Sequence, residues 1–221
     1  MTVTLIFLAV LMAIVITWLV RQSVNNKPWD EVGVIEGDDI NGPVYMSSKK
    51  FFLGGFLVVL TSLFMLFFSA YNIRMEYPDW VSLDDPRILW VNSVFLLLAS
   101  IFYQKAKNAA QRNNDGGVRV SLVLAGMLTF CFLYGQYWAW QYIHDQGMFV
   151  YSNPANAFFY VLTGLHALHI IGGLWVWASS TVKVWLGASA DSIQSAVELC
   201  ALYWHFLLVL WLIIFYLLLS T

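Results

Sequence analysis

The sequence predicts an all-α fold, a polytopic membrane helix bundle with six transmembrane helices. Three observations carry that prediction: 60% of the 221 residues are hydrophobic, only 11% are charged, and the apolar residues gather into six long runs. A helix needs about 20 mostly apolar residues to cross the hydrocarbon core. The runs fall at roughly 3–20, 51–72, 88–104, 120–143, 157–180 and 196–219. Mean hydropathy is +0.70. A net charge of −2 with no long basic run excludes a nucleic-acid-binding surface.

The first run opens MTVTLIF, without the positive start of a cleaved signal peptide, so residues 1–22 are expected to be a retained N-terminal transmembrane helix. Residues 23–49 follow as an acidic linker carrying Asp30, Glu31, Glu36, Asp38 and Asp39 together with Pro28 and Pro43. It reads either as a solvated connection or as a docking surface for a partner subunit. Residues 50–221 supply the remaining five spans as one body.

Lys and Arg set the orientation. Arg21, Lys27, Lys49, Lys50, Lys105, Lys107, Arg112, Arg119 and Lys183 fall on one side, and only Arg74 and Arg87 on the other. Both termini are therefore expected outside, which in a bacterium is the periplasm. Trp80, Trp90, Trp138, Trp140, Trp175, Trp177, Trp204 and Trp211 fit interfacial belts near span ends. Gly54, Gly55, Gly164, Gly172 and Gly173 are small residues that let helices approach. Cys131 and Cys200 sit in apolar runs and form no C-x-x-C pair.

Ionisable groups inside a span are costly and count as functional candidates. The fifth run holds His166 and His169, the sixth Glu198 and His205, and the fourth the polar Gln136 and Gln141. Residues three apart share a broad helix face and residues seven apart nearly the same angle. Spans joined by a short loop pack side by side, so His166, His169, Glu198 and His205 are expected to form a buried polar cluster. Two chemistries stay open for it. Histidines on facing helices can ligate haem or metal, and buried polar groups can equally satisfy one another by interhelical hydrogen bonds. The several Glu residues and Glu-x-x-His pairs of a di-metal bundle are absent, and one carboxylate makes no proton relay.

FYVLTGLHALHIIGG (Phe159 to Gly173) resembles the T-G-x-H-x-x-H-x-x-x-G segment of subunit III of haem-copper respiratory oxidases, through Thr163, Gly164, His166 and His169. ELCALYWHFLLVLW (Glu198 to Trp211) is similar to that family's E-x-x-x-x-Y-W-H-F-x-D-x-x-W helix, through Tyr203, Trp204, His205, Phe206 and Trp211. WVNSVFLLLAS (Trp90 to Ser100) and GQYWAW (Gly135 to Trp140) are weaker matches in the family's order. The resemblance covers about residues 50–221.

It implies a five-helix, non-catalytic subunit of a cytochrome c or quinol oxidase that stabilises the catalytic subunit. Subunits I and II are the implied partners, and haem and copper would lie in subunit I, with no catalytic or metal residue here. It also implies bound phospholipid, with His169, Lys183 and Trp204 as the lipid-contact candidates, and support of proton uptake. An accessory subunit of a nitric oxide reductase would share the same body, and a membrane haem carrier using the histidines is the rival of a different class. The chain departs from the family's carboxylates at Leu63, Ala139 and Leu208, which puts proton-related roles at those positions in doubt. The helix ahead of the body departs from both the larger and the compact members.

Overall fold

The computed structural model describes residues 48–81, 87–187 and 190–220. The expected first helix and nearly all of the linker lie outside them. The described residues form five helices and no strand: α1 (Ser48–Arg74), α2 (Ile88–Gln111), α3 (Asp115–Asp145), α4 (Pro154–Trp185) and α5 (Ala190–Leu219). All five are long and apolar enough to cross a membrane, and the chain is an integral membrane protein.

Helices overrun the apolar runs where the flanking residues favour helix. The third run was expected to end at 104, but QKAKNAAQ continues α2 to Gln111 because Ala, Lys and Gln propagate a helix well. It stops at Asn113, whose φ of 53° is left-handed. Asn114 then caps α3 by accepting from the Gly117 N–H at 3.0 Å. At the start of α4, Asn153 accepts from the Ala155 N–H at 3.1 Å, with Pro154 in the first turn where its missing N–H costs nothing.

The chain divides into two compact units between Ser62 and Leu63, inside α1. In the described part of the first, Thr61 and Ser62 return their hydroxyls to the carbonyls of Leu57 and Val58.

In the second unit, α2, α3, α4 and α5 close into a four-helix bundle, each touching its two neighbours. Every neighbouring pair is antiparallel. Asn92 meets Gly135 and Ala109 meets Gly117 between α2 and α3; Trp140 bonds Thr163 and Trp177 bonds Leu122 between α3 and α4. Tyr203 bonds His169 and Cys200 meets Ser180 between α4 and α5, while Ser93 pairs with Trp211 and Lys107 with Glu198 between α2 and α5. The C-terminal part of α1 sets its rings on α4, Phe64 on His169 and Tyr71 on Phe158.

Lipid tails are as apolar as leucine, so close packing and hydrogen bonds, not burial from water, hold such helices together. Three glycines permit the closest approaches. A Cβ at Gly126, Gly135 or Gly173 would lie 2.2 Å from Trp177, 2.0 Å from Asn92 and 2.6 Å from Tyr203 respectively. Of the five glycines read as contact residues from sequence, Gly173 alone has this role; Gly54, Gly55 and Gly172 have nothing within 4 Å and Gly164 makes an ordinary contact. Trp204 and Trp211 are likewise fully buried inside the bundle, not interfacial.

Candidate functional site

A polar seam runs between α2 and α5. Ser93, Ser100, Gln104 and Lys107 recur on one face of α2, and Trp211, His205 and Glu198 answer them in antiparallel order on α5. At its centre the Ser100 hydroxyl donates to His205 Nδ1, and His205 Nε2–H donates to Gln104 Oε1 at 3.0 Å. Gln104 then passes its amide N–H to Asn108 Oδ1 at 3.1 Å. Each donor meets an acceptor with a neutral imidazole.

Lys107 Nζ lies 3.6 Å from Glu198 Oε1, with both side chains partly exposed. That pair sits near the C-terminal end of α2 and the N-terminal end of α5, where the side chains can reach the interface.

The two histidines of α4 stand in different surroundings. His166 is fully buried, its ring 5.2 Å from that of Trp211 and 5.8 Å from that of Phe132, and neither ring nitrogen has a protein partner. His169 is partly buried; its Nδ1–H donates to the Leu165 carbonyl at 2.6 Å and its ring faces Phe64. Thus Glu198 and His205 both reach α2, His166 points into the bundle centre, and His169 turns toward α1.

The motif residues named from sequence are mostly spent between helices. Thr163 Oγ1 accepts from Trp140 Nε1 at 3.0 Å and donates to the Phe159 carbonyl. Tyr203 Oη donates to the His169 carbonyl at 3.0 Å. Trp204 Nε1 donates to Thr129 Oγ1 at 3.2 Å, and its ring lies 4.3 Å from that of Tyr103. Trp211 Nε1 donates to Ser93 Oγ at 2.9 Å. Phe206 is partly buried on α5, and Gly164 is in ordinary contact with Trp140.

Of the lipid-contact candidates, Lys183 is exposed and His169 partly so, whereas Trp204 lies at 0% exposure inside the bundle. A side chain at that depth meets helices and not lipid. Among the positions without the family's carboxylates, Ala139 is fully buried on α3, Leu208 is partly buried on α5 and Leu63 is exposed on α1. Gln104 and Thr129 are absent from the sequence reading, Ser93 and Ser100 enter it only within the weaker WVNSVFLLLAS match, and Lys107 only as a loop cation. A signal for the seam exists in the sequence: Ser100, Gln104 and Lys107 are spaced by four and three, one helical face.

Both nitrogens of His205 are engaged by Ser100 and Gln104, and the Nδ1 of His169 is tied to its own helix. Among the described residues no group of three or more His, Cys, Asp and Glu side chains could hold a metal ion. What the arrangement does chemically is lock helices in register.

No known protein-family model matches the chain. Similar proteins include the cytochrome c oxidase subunit 3 of Synechocystis sp., 31% identical over 170 residues that cover 72% of this chain and 70% of the relative. The cytochrome c oxidase subunit 3 of Corynebacterium diphtheriae is 28% identical over 74% of this chain and 82% of its own length. That of Bacillus subtilis is 27% identical over 74% and 80%. With its all-helical membrane fold and a polar set spent on helix pairing, the chain belongs to the cytochrome c oxidase subunit III family.

Proposed function

We propose that this chain is the non-catalytic subunit III of a haem-copper terminal oxidase, packed against catalytic subunit I in a complex that also holds subunit II. The observation that carries this reading is how the motif side chains are used. Tyr203, Trp204, His205 and Trp211 all bond to neighbouring helices, so they build a scaffold and leave the redox chemistry to a partner.

Haem and copper, which reduce oxygen when bound, belong in this reading to subunit I. The chain contributes a rigid bundle and a partly exposed polar flank at Gln104, Lys107, Glu198 and His205. Ionisable groups within a span face protein or water, which suits a flank covered by a partner subunit. Phospholipid contact is assigned to the partly buried His169 and exposed Lys183. Support of proton uptake then acts through subunit I, since Leu63, Ala139 and Leu208 bring no carboxylate. Nine Lys and Arg against two across the loops support both termini on the periplasmic side of a bacterial cytoplasmic membrane.

The test is an optical spectrum and metal analysis of what co-purifies with the tagged chain, before and after mild detergent removes its partners. Haem and copper should leave with the partners. Haem retained by the isolated chain would return His166, His169 and His205 to the role of ligands.

A further inference from the structure

Among the buried side-chain atoms without a protein partner, six belong to three residues of the bundle interior: both amide atoms of Asn92, both of Gln136 and both ring nitrogens of His166. The three residues are at most 1% exposed. They come from α2, α3 and α4, yet a continuous set of contacts puts them at one level. Asn92 Oδ1 occupies the place of a Cβ on Gly135, the residue beside Gln136. One turn back along α3, the Phe132 ring meets His166 at 5.8 Å, and Trp211 meets both, His166 at 5.2 Å and Phe132 at 4.9 Å. Trp211 closes the circuit by donating to Ser93, next to Asn92.

A single unpaired buried amide costs about 1–3 kcal/mol, and within a span no bulk water relieves it. Three in one layer need a shared partner. Asn and Gln each present two N–H donors and a carbonyl acceptor, and a neutral His presents one donor and one acceptor. That mixture suits a ligand that both donates and accepts; an ion of either sign would leave half of it unpaired. Water makes about three hydrogen bonds at such sites in protein interiors. An open groove of about 620 Å³ between α2 and α3 has Asn92 and Gly135 in its lining.

We propose that Asn92, Gln136 and His166 form an internal water-binding site that completes the bundle's hydrogen bonding. X-ray hydroxyl-radical footprinting of the intact purified complex tests it, because radiolysis of a bound water oxidises its immediate neighbours. Phe132 and Trp211 flank His166, while Phe159 and Trp204 are equally buried controls of the same residue types elsewhere. Phe132 and Trp211 should be oxidised several-fold faster than Phe159 and Trp204. Equal rates would overturn the proposal. In a Gln136→Leu complex the Phe132 rate should fall toward that of Phe159; a rate still fully raised in that complex would remove Gln136 from the site and overturn the assignment as well.

Discussion

Trp177 fills the space that a side chain on Gly126 would need: a Cβ there would sit 2.2 Å from the indole Cζ2. The indole N–H also donates to the Leu122 carbonyl at 2.9 Å, one helical turn from Gly126. Gly126→Ala must therefore push the indole off both its packing and its hydrogen bond. Overpacking of this kind costs about 1–3 kcal/mol. Gly172→Ala, with nothing within 4 Å, should instead gain about 0.5–1 kcal/mol by favouring helix. Thermal unfolding in detergent, followed by reaction of the buried Cys200 thiol in a Cys131→Ser background, should show the two shifts with opposite signs.

His205→Ala removes an imidazole that both accepts from Ser100 and donates to Gln104. Two groups then lose a partner, for about 1–3 kcal/mol. Less complex should be recovered, but each assembled complex should turn over at the normal rate per haem. A complex of normal yield and stability that has lost turnover would contradict the structural role.

The contrast between His166 and His205 shows how far the sequence could be read. Five apolar runs announced five helices because a bilayer demands that length and composition. Seven-residue spacing placed Glu198 and His205 on one face, and both do reach α2. The counterpart of Glu198 stays hidden because the third apolar run ends at residue 104, which puts Lys107 in a loop. Three-residue spacing says less, since positions three apart differ by about 60° around a helix. That angle suffices to turn His166 inward and His169 toward α1. Nor does hydropathy separate an interfacial Trp from a buried one, so Trp204 and Trp211 read as belt residues from sequence alone.

Trp204 allows a separation of its polar and packing roles. Trp204→Phe loses the bond to Thr129 Oγ1, but Thr129 still donates to the Ala125 carbonyl at 2.9 Å. The cost should be small, about 0.6–1.7 kcal/mol for an interhelical bond in a membrane. Trp204→Ala also opens a cavity against Tyr103, and should cost about 3–5 kcal/mol. The same thiol-accessibility melt ranks the two.

The connection after α1 carries a pH dependence of fixed sign. Arg74 Nη1 donates to Asp79 Oδ1 at 2.7 Å, and Nη2 reaches the other oxygen. This pairing holds the Asp79 carboxyl below its ordinary value of 3.8. A lowered folded value means that the contribution is fully present above the ordinary value and is lost as pH falls through the lowered one. It should be flat from neutral pH to about pH 5 and vanish only in acid, and salt should weaken so exposed a pair. A carboxyl-selective NMR titration of Asp79 should show a depressed midpoint, returning to the ordinary one in Arg74→Gln.

Asn153 ties that connection to the bundle. Its Oδ1 caps α4 at Ala155 and also meets the Val81 N–H at 3.5 Å, while its Nδ2 donates to the Val81 carbonyl. One side chain thus starts a helix and anchors a residue 72 positions earlier in the chain. Asn153→Ala should cost about 0.5–2 kcal/mol through the cap alone and should release Val81. Asn153→Asp keeps the acceptor but loses the donor, so α4 should remain capped while Val81 loosens. Hydrogen exchange separates these effects. Faster exchange at both the Val81 and Ala155 amides is expected for the alanine variant, with Ala155 still protected in the aspartate variant. Unchanged exchange at Val81 in the alanine variant would show that something other than Asn153 holds the connection.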